Sequence, residues 1–169
     1  YAWGEQLTEK EPVGECCKYL VSANVSPYKI SWEIPIRSIG KHLKKPYLKY
    51  NSKLFTKDKW DIFKSKNKLI VRANDTRLTV ALDDEGFAGV GLYFIIDIKT
   101  EPKYILALLN SKLLNFYYLS KFATAHISGG YISINGVHLD KLPIKLPETT
   151  EEKKITDQII KKVDEILEL

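Results

Sequence analysis

Arg72, Asn74 and Arg77 lie in one short segment, and each offers a planar pair of hydrogen-bonding groups. An arginine can donate two parallel hydrogen bonds to the edge of guanine, and an asparagine can pair with the edge of adenine. The chain has three arginines in all, so two in one turn are informative. The segment is a candidate for reading bases. The alternative is a hairpin whose arginines pair with acidic neighbours. Those neighbours are Asp75, Asp83 and Asp84.

A second candidate is the loop from His126 to Tyr131, which contains two adjacent glycines. Glycine lets a backbone come close to a phosphate or a groove. We expect base contacts from three side chains of this loop and phosphate contacts from its glycines. The base-reading candidates are His126, Ser128 and Tyr131, and the phosphate candidates are Gly129 and Gly130. The alternative is a helix-to-strand connection that binds nothing.

Positive charge is concentrated in residues 29–77, where fourteen lysines and arginines face four acidic residues. This segment carries +10 in a chain whose total is +5, and aromatic residues are interleaved with its cations. Such a mixture suits phosphate neutralisation with stacking alongside. The strongest phosphate candidates are Lys41, His42, Lys44, Lys45 and Lys49. The alternative is a lysine-rich face that water alone covers.

Metal chemistry is weakly supported. The three histidines share no ligand-like spacing, and the adjacent Cys16 and Cys17 are expected to be ordinary reduced thiols, so we predict no metal site. Asp84 followed by Glu101 and Lys103 imitates the acidic-lysine pattern of metal-dependent nucleases. That pattern needs a central strand, where the intervening Pro102 would remove a hydrogen bond. A nuclease remains a minor alternative, and we predict no catalytic residue in this chain.

The elements that position these residues follow from apolar patterning. Residues 69–72, 78–82 and 90–96 read as strands of a strongly bent or barrel-like sheet, separated by turns at 74–75 and 83–86. A short strand is expected at 131–134, followed by an extended segment with two prolines at 139–147.

Two long helices and a short one complete the prediction. Thr56 caps the short helix, and a buried helix spans about 102–120, with Thr100 as its N-cap and Asn110-Ser111-Lys112 as a packing or capping feature. The last helix spans about 150–168 behind a capping box of Thr149 and Glu152. Its apolar stripe needs a partner surface and makes it a candidate docking helix. The stripe consists of Ile155, Ile159, Val163 and Ile166.

Length and composition fit one α+β domain: the chain has 169 residues, of which 44% are hydrophobic. We expect a twisted β-rich core in a domain over 1–148, with 1–28 as a lead-in, followed by the helix of 149–169.

A membrane span needs about 18 consecutive apolar residues, and neither such a run nor a signal peptide occurs, so a cytoplasmic location is expected. The start at Tyr1 and the absence of methionine suggest a piece of a longer polypeptide.

The order of these segments resembles the target recognition domains of restriction-modification enzymes. It is similar in particular to the TaqI-like C-terminal specificity domain of adenine methyltransferases and of fused type II restriction enzyme-methyltransferases, and more distantly to type I specificity subunits. The resemblance extends from about residue 66 to the end of the chain. The motifs that carry it are the strands at 68–72 and 92–96, Leu-Leu-Asn-Ser-Lys at 108–112, Leu-Pro-Ile-Lys-Leu-Pro at 142–147 and the helix at 159–169.

The resemblance implies a non-catalytic module that reads a short double-stranded DNA sequence. A methyltransferase domain, in the same chain or in a partner subunit, would then flip and methylate an adenine. The chain has no two adjacent prolines, hence no Pro-Pro motif of an amino-methyltransferase. S-adenosylmethionine, and magnesium if the parent protein also cuts DNA, would be bound outside this chain. The alternative from another class is a protein-docking module that uses the last helix.

Overall fold

The N-terminal half of the protein is built around a four-stranded sheet. The computed structural model describes residues 3–122 and 130–169. In spatial order the sheet contains β1 (Leu7–Thr8), β7 (Tyr47–Lys49), β2 (Cys16–Val21) and β11 (Ala88–Val90). β2 is antiparallel to β7 and parallel to β11, and its Tyr19 and Leu20 are completely buried. The segment predicted to be a lead-in therefore supplies a central strand.

A three-stranded antiparallel sheet forms the second layer. It has the order β10 (Val80–Asp83), β8 (Lys68–Arg72) and β12 (Leu92–Ile95). Two of its strands lie where the sequence predicts them. The predicted strand at 90–96 is divided at Gly91, which has a φ of +70°. Residues before Gly91 join the first sheet and residues after it join the second, so two sheets replace the single bent sheet that we expected.

Three two-stranded ribbons extend from these sheets. They are β3 (Val25–Ser26) with β4 (Lys29–Ile30), β5 (Ile36–Ser38) with β6 (Lys41–Leu43), and β9 (Asn74–Asp75) with β13 (Ile132–Ser133). All three are antiparallel. The last ribbon joins segments that are far apart in the sequence.

The predicted helix at 102–120 is two helices, α2 (Pro102–Asn110) and α3 (Lys112–Lys121). Ser111 between them is extended, with a ψ of 149°, and its hydroxyl accepts a hydrogen bond from the Leu114 N–H. A serine in that position ends one helix and caps the next. The N-cap of α2 is Glu101 rather than Thr100. α3 is only partly buried, because Leu113 and Phe116 are 74% and 69% exposed.

Two further helices agree with the sequence, and one short helix was not predicted. α1 (Lys57–Lys64) begins after Thr56, whose hydroxyl accepts from the Lys59 N–H, and it buries Trp60 and Phe63. α4 (Gly136–Leu139) is a single turn. α5 (Thr150–Leu167) begins with the predicted capping box of Thr149 and Glu152.

The main core lies between the three-stranded sheet and the pair α2 and α5, and it includes Leu69, Leu106 and Val163. A second core lies under the four-stranded sheet, where aromatic side chains of α1 pack on Tyr19 and Leu48. The α+β class is confirmed. No helix in 3–122 or 130–169 is both long and apolar enough to cross a membrane.

Candidate nucleic-acid interface

The ribbon of β9 and β13 pairs the predicted turn at 74–75 with the residues that directly follow the predicted loop. Asn74 lies opposite Ser133, and Asp75 lies opposite Ile132. The Ile134 N–H donates to the Ala73 carbonyl at 2.8 Å, which extends the pairing by one hydrogen bond. The ribbon places the turn at 74–77 beside the end of the glycine loop, and the Asn74 side chain is exposed there.

Tyr131 directly precedes β13 and is 45% exposed. Gly130 has a φ of +80°, and within the described residues no atom beyond its chain neighbours lies within 4 Å of the position that a Cβ would occupy. Its conformation favours glycine even though the space around it is open. The other three candidates of this loop, His126, Ser128 and Gly129, lie outside the described residues.

The two arginines of the turn contact the protein itself. The Arg72 guanidinium lies 3.1 Å from the Asp75 carboxylate, an ion pair with both side chains mostly buried. Arg77 donates to the Asn110 carbonyl at 3.0 Å, at the C-terminal end of α2, where a cation interacts favourably with the helix dipole. The ion pair of Arg72 is one that the alternative names, whereas Arg77 binds a backbone carbonyl instead of an acidic side chain. The role of Arg72 and Arg77 in base reading stays a prediction.

Two asparagines, one in α2 and one in α3, hold the segment that follows the turn. The Asn110 side chain accepts from the Val80 N–H at 3.1 Å and donates to the Val80 carbonyl at 2.9 Å. Asn115 accepts from the Leu78 N–H at 3.0 Å. The packing role predicted for Asn110-Ser111-Lys112 is confirmed. The sequence analysis did not assign Asn115 any role, although an asparagine inside an apolar helix is a signal of such a bond.

The basic cluster lies on β6, on the end of β7 and in the turn between them, and all five of its candidates are exposed. Lys41 donates to the Gly4 carbonyl at 2.7 Å, and the Lys45 ammonium lies 3.4 Å from the Glu33 carboxylate. The backbone N–H of Lys44 donates a hydrogen bond to the Glu9 carboxylate. The side chain of Lys44 is exposed.

Part of the positive charge of residues 29–77 is neutralised by acidic residues outside that segment. Lys64 pairs with Glu15 and Lys68 with Asp83. Lys68 is 1% exposed and unable to reach a partner molecule. The charge available to a polyanion is therefore smaller than the sequence balance of the segment suggests.

The residues of the nuclease pattern do not lie on a central strand. Glu101 and Pro102 begin α2 instead of lying on a central strand. The Lys103 ammonium lies 2.5 Å from the Asp164 carboxylate of α5, where it joins two helices. These placements support the argument from Pro102 against a nuclease.

The apolar stripe of α5 packs in part on its own domain. Val163 is 2% exposed and Ile159 is partly buried against the main core. Ile155 and Ile166 remain 51% and 40% exposed. The centre of the predicted docking stripe is thus covered by α2 and its neighbours, and the two ends of the stripe are open.

The exposed amide of Asn74, the exposed Tyr131 and the basic cluster are groups suited to binding a partner molecule.

Residues 17–144 match the family described as the TaqI-like C-terminal specificity domain. A comparison with curated proteins finds no match. The matched range includes the basic cluster and both strands of the β9–β13 ribbon. The chain therefore belongs to the family of TaqI-like C-terminal specificity domains, DNA target-recognition modules of restriction-modification enzymes.

Proposed function

We propose that this module binds a short double-stranded DNA sequence and positions it for adenine methylation by a methyltransferase domain. That domain belongs to the same chain or to a partner subunit. The β9–β13 ribbon carries the proposal, because it brings two separately predicted segments to one exposed edge. A type I specificity subunit, which the sequence resembles more distantly, would use such a module in the same way. The proposal places the protein in the cytoplasm, with the cell's DNA.

The cofactor is assigned to the methyltransferase. S-adenosylmethionine supplies the methyl group when bound, and nucleotide-type cofactors are commonly held by a glycine-rich turn between a strand and a helix. The connections from β7 to α1 and from β12 to α2 contain no glycine. The role of this chain is to grip, orient and read the duplex.

Asn74 is the side chain of this edge best suited to reading. Its amide is exposed, and an asparagine can accept from and donate to the edge of adenine at the same time. Pairing with Ser133 holds the backbone of Asn74 in place. A fixed backbone with an exposed planar amide limits the entropy lost on binding.

The test is a selection of bound sequences from a random duplex library, followed by titrations with single-base variants of the selected site. Asn74→Ala should lose about 1–3 kcal/mol of discrimination at one base pair. Gln158→Ala, which removes an exposed amide from α5, is the matched control and should leave discrimination unchanged.

Two outcomes would contradict the proposal at different levels. If the unchanged chain binds all duplexes equally, sequence recognition by this module is wrong. If it selects a site but Asn74→Ala selects the same site with the same discrimination, the function stands and the assignment of Asn74 is wrong.

A further inference from the structure

The hairpin of β5 and β6 has two chemically different faces. Ile36 and Ser38 of β5 and Leu43 of β6 are buried, whereas Arg37 and His42 are exposed. Arg37 lies directly opposite His42 in the register, so the two side chains project from the same face. The outer face of the hairpin is therefore cationic, and its inner face is anchored in the protein.

The tip of the hairpin is held in a strained conformation. Ile39 and Gly40 form the two-residue connection with φ values of +52° and +73°. Positive φ at both positions gives the turn a twist that matches the strands. For a β-branched isoleucine it is a clear outlier. Such strain persists where surrounding contacts hold it, and it is often found at functional sites.

Contacts with Gly4 fix this tip. The Ile39 Cγ2 atom would lie 3.0 Å from a Cβ at Gly4, so only a glycine there fits without displacement. The Lys41 ammonium donates to the Gly4 carbonyl at 2.7 Å. The hairpin is thus braced at its tip as well as along its inner face, and it presents its outer face as a rigid ribbon.

Arg37 differs from the other two arginines. Arg72 is paired with Asp75 and Arg77 with the Asn110 carbonyl, whereas the Arg37 side chain has no hydrogen bond or ion pair within residues 3–122 and 130–169. An exposed guanidinium on a rigid strand keeps all of its donors available for a ligand. Arg37 is not among the residues predicted from the sequence, because its neighbours Ile36 and Ser38 do not mark a turn.

A groove of about 420 Å³ lies beside the hairpin, and its lining includes Arg37, Ile39, Ser22 and Gly91. The Gly91 carbonyl accepts from the Ala73 N–H at 2.9 Å, and Ala73 directly precedes Asn74. One backbone hydrogen bond therefore links the lining of this groove to the segment that carries Asn74.

We propose that the β5–β6 hairpin enters the major groove of DNA as a two-stranded ribbon and that Arg37 reads a guanine there. This inference rests on the proposed DNA-recognition function. The major groove is about 12 Å wide and admits a two-stranded β-ribbon. The arginine fork matches the O6 and N7 acceptors of guanine, and this is the commonest specific contact between proteins and DNA. His42 lies opposite Arg37 in the ribbon. Lys44 directly follows β6, and in this arrangement its ammonium would contact the phosphates.

The experiment compares Arg37→Lys and Arg37→Ala with the unchanged chain on a site selected from a random duplex library. Lysine keeps the charge but loses the bidentate fork. In both variants, the preference for guanine at one position of the site should fall by a factor of about 5 to 150. A duplex with 7-deazaguanine at that position lacks the N7 acceptor. The unchanged chain should bind this duplex more weakly than the unmodified one, whereas the two variants should bind both duplexes equally.

Lys154→Ala on α5 is the charge-matched control, because Lys154 is exposed and lies outside the hairpin. It should leave base preference unchanged. Thermal unfolding verifies that the Arg37 variants are folded, which we expect because the Arg37 side chain makes no hydrogen bond within the described residues.

Three outcomes would overturn the inference. A uniform loss of affinity for all duplexes with Arg37→Ala and none with Arg37→Lys would make Arg37 a phosphate contact. Unchanged affinity and preference in both variants would remove it from the interface. If the unchanged chain itself shows no base preference, the proposed function fails, and this inference fails with it.

Discussion

The Lys68 ammonium lies 2.5 Å from the Asp83 carboxylate, and the two side chains are 1% and 0% exposed. Lys68 also donates to the carbonyls of Phe63 and Ser65, and Asp83 accepts from the N–H groups of the turn that follows β10. Burial lowers the pKa of Lys68, while the Asp83 carboxylate acts to raise it. The pair joins β8, β10 and the end of α1 at one point between the two sheets.

Removing one partner of this pair should be strongly destabilising. Asp83→Ala leaves a buried ammonium without its counter-charge and frees backbone donors, so the free energy of unfolding should fall by about 3–5 kcal/mol. The exposed pair of Lys57 and Asp61 is the control, since Asp61→Ala should cost at most about 0.5 kcal/mol. Urea denaturation measures both. Equal losses in the two variants would contradict the structural role of the buried pair.

Asn110→Ala should destabilise the link between α2 and β10. Its amide pairs with both backbone groups of Val80, and each buried group left unpaired costs about 1–3 kcal/mol. Asn115→Ala frees one such group, the Leu78 N–H, and should therefore cost less. Thermal or urea unfolding gives the order of the two variants, and a larger loss for Asn115→Ala would disagree with the structure.

The capping box of α5 should make helix stability depend on pH. Hydrogen bonds from the N–H groups of Thr149 and Glu148 lower the pKa of Glu152 from 4.5 to about 2. The unfolded chain therefore takes up this proton at a higher pH than the folded chain does. The stabilisation is complete above about pH 4.5 and is lost as the pH falls through 2.

Glu152→Gln isolates this contribution, because it removes the titration. The melting temperature of the unchanged chain should exceed that of the variant most clearly at pH 5 to 6, and the gap should close towards pH 2. A gap of constant size across that range would mean that the carboxylate charge contributes nothing to the cap.

Cys17 should resist alkylation in the folded protein. Burial raises the pKa of its thiol to about 12, so roughly one thiol in ten thousand is ionised at pH 8. Cys16, also raised in pKa by burial, is less deeply buried and should react first. Labelling of Cys16→Ser and Cys17→Ser with iodoacetamide, followed by mass spectrometry, separates the two rates. Similar rates in the two folded variants would contradict this order.

The lysines beside the β5–β6 hairpin should contribute to affinity without contributing to base preference. Lys44→Ala should weaken binding to all duplexes alike and reduce the slope of log K against log salt concentration by about 1. Lys45→Ala should reduce it less, because Glu33 lies 3.4 Å from that ammonium. Lys57→Ala, which removes a charge already paired with Asp61, serves as the control and should leave the slope unchanged. A change in base preference with Lys44→Ala would assign that residue a different role.

Local patterns were sufficient for elements whose signals lie within a few residues. The caps of α1 and α5 and the strands β8 and β10 could be predicted because threonine caps and apolar runs act over one turn or one strand. The break at Ser111 was visible as a polar interruption. Its consequence, a second helix with its own cap, depends on the extended backbone of that one residue.

The candidate site divides in the same way. Residue types indicated Asn74 and Tyr131 as reading candidates, but their meeting at one edge follows from the pairing of β9 with β13. No local signal encodes that pairing, since two residues in each strand carry almost no periodicity. The pair of Arg72 with Asp75 lies within one turn and was among the alternatives that the sequence offered. The contact of Arg77 with the Asn110 carbonyl depends on the packing of α2, and so does the freedom of the Arg37 side chain.

The sequence by itself determined the α+β class, the excess of positive charge in residues 29–77 and the resemblance to a specificity domain, because each follows from composition or from motifs of adjacent residues. Only the tertiary structure decided which of those charges remain available and which arginine side chains are bound by the protein itself. Ion pairs such as Lys68 with Asp83 form between residues that are distant along the chain. Such a pair exists only after sheets and helices have packed, and burial then determines whether a charge is neutralised inside the protein or offered to DNA.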